Sequence, residues 1–268
     1  LADPKREADE GFAEDRPYLR SATGRRLYVD PADERARALD RSGGSMNDGS
    51  MRVWEVALSM RSWDVVVDVG ANYGEMLLGA PLPSHSRLVC FEPNPQILPH
   101  LRRSIAESGL EVDLRAVAVG TERGESTFYV DTVWSGRSGL AQTHRTDAEH
   151  RLESVTVPMS TLDSELEDLA EAASVCIKVD VEGGEFAVLA GAERLLSATR
   201  PWVVMLEILH MDPFEVASLA ATYTMRVLDR RTGELVVVPP ATPRWVSELL
   251  DAGWLYPQDA LLTTREAA

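Results

Sequence analysis

Short apolar runs of strand length alternate with stretches of helical period along most of this chain. Residues 65–69 read Val-Val-Val-Asp-Val, followed by Gly70 and by Gly74, where a helical stretch starts. A β-branched run that ends in an acid and a glycine is a buried strand delivering its carboxyl end into a tight turn over a helix. The rhythm repeats, with strands predicted at 87–92, 112–119, 175–181 and 202–208 and helices at about 96–108, 185–197 and 213–222. A hairpin strand is predicted at 126–130. Beyond residue 222 come strands at 225–229, 234–238 and 260–264, the first two joined by a turn at Thr232-Gly233. The pattern is that of an α/β, doubly wound, mostly parallel Rossmann-like sheet with an antiparallel strand at the C-terminal end.

Ahead of this region, residues 1–23 are polar and aperiodic and read as a loosely held arm. A short strand at 26–30 and a helix at 33–40 follow, the helix stopped by Ser42-Gly43-Gly44. Residues 42–50 read as a flexible joint that is also expected to cover a cofactor bound at the glycine turn, and 51–60 as an amphipathic helix. The chain therefore divides into an N-terminal arm and cap, 1–50, and a main α/β domain, 51–268. It contains no internal repeat and no low-complexity tract.

Composition narrows the partners. A net charge of −16 over 268 residues makes nucleic acid and anionic membrane poor partners and draws in cations. No apolar run reaches the roughly 18 residues of a membrane span, and the polar start is no signal peptide, so a cytoplasmic location is expected. Cys90 and Cys176 both fall in predicted strands and are expected to be buried free thiols. Lysine occurs only at positions 5 and 178, and Lys178 lies within an apolar strand.

Charge also selects the cofactor. A dinucleotide turn carries G-x-G-x-x-G, so that amides and a helix dipole meet a pyrophosphate. Here Gly70-Ala71-Asn72-Tyr73-Gly74 is flanked by Asp68 and Glu75, which would repel a diphosphate. They suit an ammonium and a sulfonium, while the helix start can take an amino-acid carboxylate. S-adenosylmethionine has all three groups. The second strand ends in Glu92, about 20 residues beyond the turn, where a carboxylate takes both ribose hydroxyls. Pro93 and Pro95 hold the turn around Asn94 rigid, and Val117 and Ala118 at the end of the third strand suit an adenine face.

The fourth strand carries Lys178, Asp180 and Glu182 at alternate positions, hence on one face, and three such charges require partners. Asp68 and Glu207 on neighbouring strands are available to Lys178, leaving Asp180 and Glu182 at the rim of the reacting centre. With no spaced histidine partner, these acids are not read as a metal site.

DVGANYGE, CFEPNP, AVAVG, the Thr161-Leu162-Asp163 triplet, IKVDVEGGEFAVLAGA and Leu206-Glu207-Ile208, in this order, resemble the FkbM family of S-adenosylmethionine-dependent methyltransferases. The likeness runs from about residue 28 to 210. It implies a class I methyltransferase fold, a seven-stranded sheet in the order 3-2-1-4-5-7-6. It also implies a cofactor site of Asp68, Gly70, Asn72, Gly74, Glu92 and Asn94, to which neighbouring Ala71, Pro93, Val117, Ala118 and Asp180 are added, with Asp180 and Glu182 near the methyl group. The family is associated with O-methylation of natural products and sugars. The loop at 134–141, with Trp134 and Arg137, departs from the family pattern.

An acceptor hydroxyl or ammonium must lose a proton, for which Asp180, Glu182 and His210 are the candidates. The expected activity is O-methylation of a hydroxyl on a sugar or glycosylated natural product. N-methylation of a cationic, aminoglycoside-like sugar is the alternative, since Asp131, Asp147, Glu182 and Glu185 are potential neighbours of the mouth. A nicotinamide oxidoreductase would need a third turn glycine, and a non-catalytic S-adenosyl-compound-binding protein would bind without turnover. Oligomeric state is left open.

Overall fold

The computed structural model describes residues 18–45, 47–140, 151–169, 173–197 and 200–264. It begins with a β-ribbon, β1 (Tyr18–Arg20) and β2 (Arg26–Tyr28), and two helices, α1 (Glu34–Arg41) and α2 (Asp48–Ser59). The alternating region comprises β3 (Val65–Val69), α3 (Glu75–Gly79), β4 (Arg87–Phe91), α4 (Leu98–Ser108), β5 (Val112–Arg115) and β6 (Ala118–Val119). After β7 (Gly124–Asp131), β8 (Leu152–Ser160) and α5 (Leu162–Glu165) come β9 (Val175–Val179), α6 (Glu185–Ala190), α7 (Glu193–Ser197) and β10 (Trp202–Glu207). The chain ends with α8 (Pro213–Thr222), β11 (Thr224–Asp229), β12 (Leu235–Val238), α9 (Pro243–Leu250) and β13 (Leu255–Thr263).

One sheet of eight strands runs in the order β5-β4-β3-β9-β10-β13-β11-β12. The strands from β5 to β10 are mutually parallel, and β13 inserts antiparallel between β10 and β11. This is the order 3-2-1-4-5-7-6, extended at the edge by β12. Gly233, at φ 72°, makes the turn that folds β12 back on β11.

Both faces of the central strands are buried, and their period of two divides the core. Val65, Val67, Val69, Ile177, Val204 and Leu206 belong to one apolar cluster. Val66, Cys176, Val203 and Met205 belong to the other, which α2 helps to build through Val53 and Trp54. Asp68, Lys178 and Glu207 have the parity of this second set. The acids and the lysine therefore stand at the carboxyl ends of a face that is otherwise apolar. Cys90 and Cys176 are buried free thiols.

Several boundaries differ from the pattern reading. The predicted strand 112–119 divides, because β6 leaves the main sheet and pairs with β8 in a three-stranded sheet with β7. β8, the partner of the predicted hairpin strand, was missed: its sequence, Leu-Glu-Ser-Val-Thr-Val-Pro-Met-Ser, contains a proline and little strict alternation. The predicted helix 185–197 breaks into α6 and α7 at Gly191, where a Cβ would lie 2.0 Å from the Gly120 carbonyl oxygen. The glycine lets two backbones touch at the cost of helix continuity. The segment 42–50 is not all joint, since Asn47 caps α2 by accepting from the Gly49 amide and the helix starts at Asp48. Among the described residues no helix is long and apolar enough to cross a membrane.

Candidate active site

The turn after β3 is shaped by three residues with positive φ, Gly70 (78°), Asn72 (48°) and Gly74 (84°). At Gly70 a Cβ would sit 1.9 Å from the Asp180 carbonyl oxygen, so only glycine lets this turn pass the end of β9. Asn72 is a residue type that tolerates the left-handed region. Its amide donates to Oε2 of Glu92 at 2.8 Å, while the Asn94 amide donates to Oε1 at 2.8 Å. Glu92 thus clamps the loops after β3 and β4 together. Each of its oxygens keeps a further lone pair for a ligand hydroxyl.

These groups line a cleft of about 650 Å³. Gly70, Asn72 and Glu92 contribute to its polar lining, and Pro93, Val117, Ala118, Phe128 and Leu140 to its apolar lining. Ser135 and Ser138, from the loop that departs from the family pattern, line it as well. That loop is anchored by Asp33, which accepts from the Ser135 amide at 3.2 Å and from the Tyr73 hydroxyl at 2.7 Å.

Not every predicted cofactor residue lines the cleft. Ala71 is buried in the core, Gly74 caps α3 beneath Leu101, and Asn94 holds the turn by accepting from the Gln96 amide. Asp68 is fully buried. Its Oδ1 lies 3.1 Å from Lys178 Nζ, its direct partner in the β3–β9 register. Lys178 also donates to the Gly70 carbonyl at 2.9 Å and lies 3.5 Å from Asp180 Oδ2. Burial opposes the charge on Lys178, but Asp68, Asp180 and Glu75 outweigh it and hold its pKa above the ordinary lysine value. Burial raises Asp68 despite the pull of Lys178. Glu207, the other partner considered for Lys178, forms no ion pair with it within 4.0 Å.

Asp180 and Glu182 lie beyond the end of β9, so the strand pleat does not place Glu182. Its backbone is left-handed, with φ 60°, and Gly183 continues the turn at 98°. A non-glycine residue held there costs about 1 kcal/mol or more, and such residues collect at functional sites. Glu185, expected near the mouth, is instead 3% exposed and accepts from the Val181 and Gly183 amides. Asp131 is likewise buried, accepting from the Val133 and Trp134 amides. Asp147 lies outside the described residues.

A second cavity, of about 560 Å³, adjoins the first. Arg35, Asp180 and Glu182 line both. Glu75, Glu207 and Asp259 add three more acids to the second cavity. Arg35 is paired with Glu75. Glu207 and Asp259 are direct cross-strand partners. Burial and the surrounding carboxylates hold Glu207 far above the carboxylate range, and burial pushes Asp259 up to about 7. His210 Nε2 lies 3.4 Å from Glu182 Oε2, and this bond keeps the imidazole above its ordinary pKa. Arg35 and Asp259 escaped the sequence reading because neither belongs to a motif. Residues 45 and 47, from the segment expected to cover the cofactor, line this second cavity.

A seven-strand order of this kind, with a glycine turn after the first strand and an acid at the end of the second, defines a class I S-adenosylmethionine-dependent methyltransferase. Residues 68–253 match the methyltransferase FkbM domain, and the chain belongs to that family. A search of curated protein sequences finds no match. Among solved structures the chain is similar to an O-methyltransferase of Bacillus cereus in complex with S-adenosylhomocysteine (11% identity, TM-score 0.44, 83% of each chain covered). It is also similar to precorrin-6y C5,15-methyltransferase of Geobacter metallireducens (15% identity, TM-score 0.41, 81% of this chain and 87% of that one).

The cleft fits the cofactor: an acid with free lone pairs stands beside an apolar lining, and the carboxylates near Asp180 suit a sulfonium. Burial pushes Glu92 up to about 7, against the pull of the Asn94 and Asn72 amides. The ionised form is the better acceptor for ribose hydroxyls, so binding lowers this pKa and releases a proton. S-adenosylhomocysteine affinity should therefore rise by up to about tenfold per pH unit below 7 and level off above it. Calorimetric titration between about pH 5.5 and 8.5 checks this, and a Glu92→Gln variant with the same slope would remove Glu92 as the cause.

Proposed function

We propose that the protein methylates a hydroxyl of a sugar or glycosylated natural product, with the acceptor in the second cavity and S-adenosylmethionine in the first. The observation carrying this reading is that the two cavities meet at Asp180 and Glu182. Bound S-adenosylmethionine supplies a methyl carbon activated by its sulfonium, whose C–S bonding pair returns to sulfur as the acceptor's lone pair forms the new bond. The chain's own work is alignment and proton removal. Gly70, Asn72 and Glu92 hold the cofactor, with Val117 and Ala118 against its adenine. Asp180, Glu182 and His210 surround the acceptor oxygen and take its proton.

N-methylation of an amino sugar is the second reading, favoured by the excess of acids in the second cavity. Incubation with labelled cofactor and mixed sugars, amino sugars and their glycosides, followed by mass spectrometry, tests both. A gain of one methyl on oxygen supports the first reading, and a gain on nitrogen replaces it with the second. Cofactor binding with no labelled product from any acceptor would favour a non-catalytic binding protein. A small soluble acceptor, with no nucleic-acid or membrane partner, fits the acidic surface, as does a cytoplasmic location.

A further inference from the structure

The ends of β9 and β10 bring Glu182 together with Glu207 and His210, which lie close to each other in sequence but about 25 residues beyond Glu182. Each offers one ligand atom, and these atoms all lie within 4.8 Å of one another. Glu207 is 4% exposed, and its Oε2 is buried with no hydrogen-bond partner among the described residues. Its cross-strand partner is another acid, Asp259, and Asp180 and Glu75 line the same cavity. The basic side chains of that cavity are engaged elsewhere, Arg35 with Glu75 and Lys178 with Asp68 and Asp180. A buried carboxylate in such surroundings calls for a cation.

The donor set indicates which cation. Calcium and magnesium prefer oxygen ligands, whereas an imidazole suits first-row transition metals. Two carboxylates and one imidazole suit an ion that accepts both, of which Mn²⁺ is the representative. The side chains of Glu182 and His210 are 24% and 28% exposed, which leaves one side of the cluster open. Glu182 itself is held in left-handed backbone beyond the end of β9, with its Oε2 3.4 Å from His210 Nε2.

We infer that Glu182, Glu207 and His210 form a three-ligand site for a divalent transition-metal ion, with its remaining coordination positions facing the second cavity. The role of such an ion rests on the methyl-transfer reading, though its binding does not. There it would hold the acceptor oxygen and ease loss of its proton, with Glu182 and His210 committed to the ion and Asp180 left as the group that takes the proton. It would also neutralise the acids that otherwise argue for an ammonium acceptor.

The test is titration of the purified full chain with Mn²⁺, following free Mn²⁺ by electron paramagnetic resonance and heat by calorimetry. One saturable equivalent is expected. Glu207→Gln, which is isosteric, and His210→Ala, at a partly exposed position, should each weaken it by about tenfold or more. Glu248→Gln, a surface acid on α9, should leave it unchanged. Circular dichroism establishes that the variants are folded. S-adenosylhomocysteine binding, measured without metal, reports on the methyltransferase reading separately. Absence of saturable Mn²⁺ binding, or binding that Glu207→Gln leaves intact, overturns the site. So does saturable binding of glucosamine without Mn²⁺ binding, which would assign the cluster to an ammonium group.

Discussion

Replacing Lys178 by methionine is expected to destabilise the protein by about 3–5 kcal/mol, because it leaves the Asp68 carboxylate buried without its partner. Asp68 is fully buried, and Lys178 Nζ at 3.1 Å supplies its ion pair. Without the lysine, Asp68 must stay protonated to remain in the core. Its folded pKa then moves further above the unfolded value, so the loss relative to the parent protein should grow as pH rises through that window and ease in acid. Urea unfolding at several pH values measures this. The double replacement Lys178→Met with Asp68→Val should recover most of the loss, since removing both charges leaves an apolar contact instead of an orphaned ion. A stability loss in the single variant below about 1 kcal/mol would show that the pair is not what holds the ends of β3 and β9 together.

The second large effect is on turnover. Asp180→Asn should lower kcat by about a hundredfold to ten-thousandfold while the fold is kept. Lys178 would still have Asp68 and the Gly70 carbonyl, so the buried network is not dismantled. Asp180 lines both cavities, and its side chain is 32% exposed. Its charge is therefore available to the reacting centre as well as to the network. Single-turnover rates with the acceptor identified by mass spectrometry, beside S-adenosylhomocysteine affinity by calorimetry, separate chemistry from binding. A change in kcat smaller than about threefold would remove Asp180 from the reacting centre.

Much of this was legible without a fold. The run at 65–69 and its two glycines marked a strand end and a tight turn, because both are local in sequence. The parity of Asp68 and Lys178 was legible for the same reason: a period of two assigns faces before any neighbour is known. The expectation for Glu182 rested on that same pleat, and there it met a left-handed residue that the pattern could not signal. β8 and the break at Gly191 were illegible because each is imposed by a distant partner, β7 and β6 in one case and the Gly120 backbone in the other.

The sequence by itself therefore determined the class of the protein, the glycine turn that follows the first strand, and the charged end of the fourth strand, since backbone propensity and face alternation act over a few residues. Only the tertiary structure decided that Asp68, not Glu207, is the ion-pair partner of Lys178, that Arg35 from α1 lines both cavities, and that Glu182, Glu207 and Asp259 line one cavity with His210 beside Glu182. Those positions come from separate elements of the chain. Their meeting depends on strand order and register, which are fixed by packing both faces of the sheet.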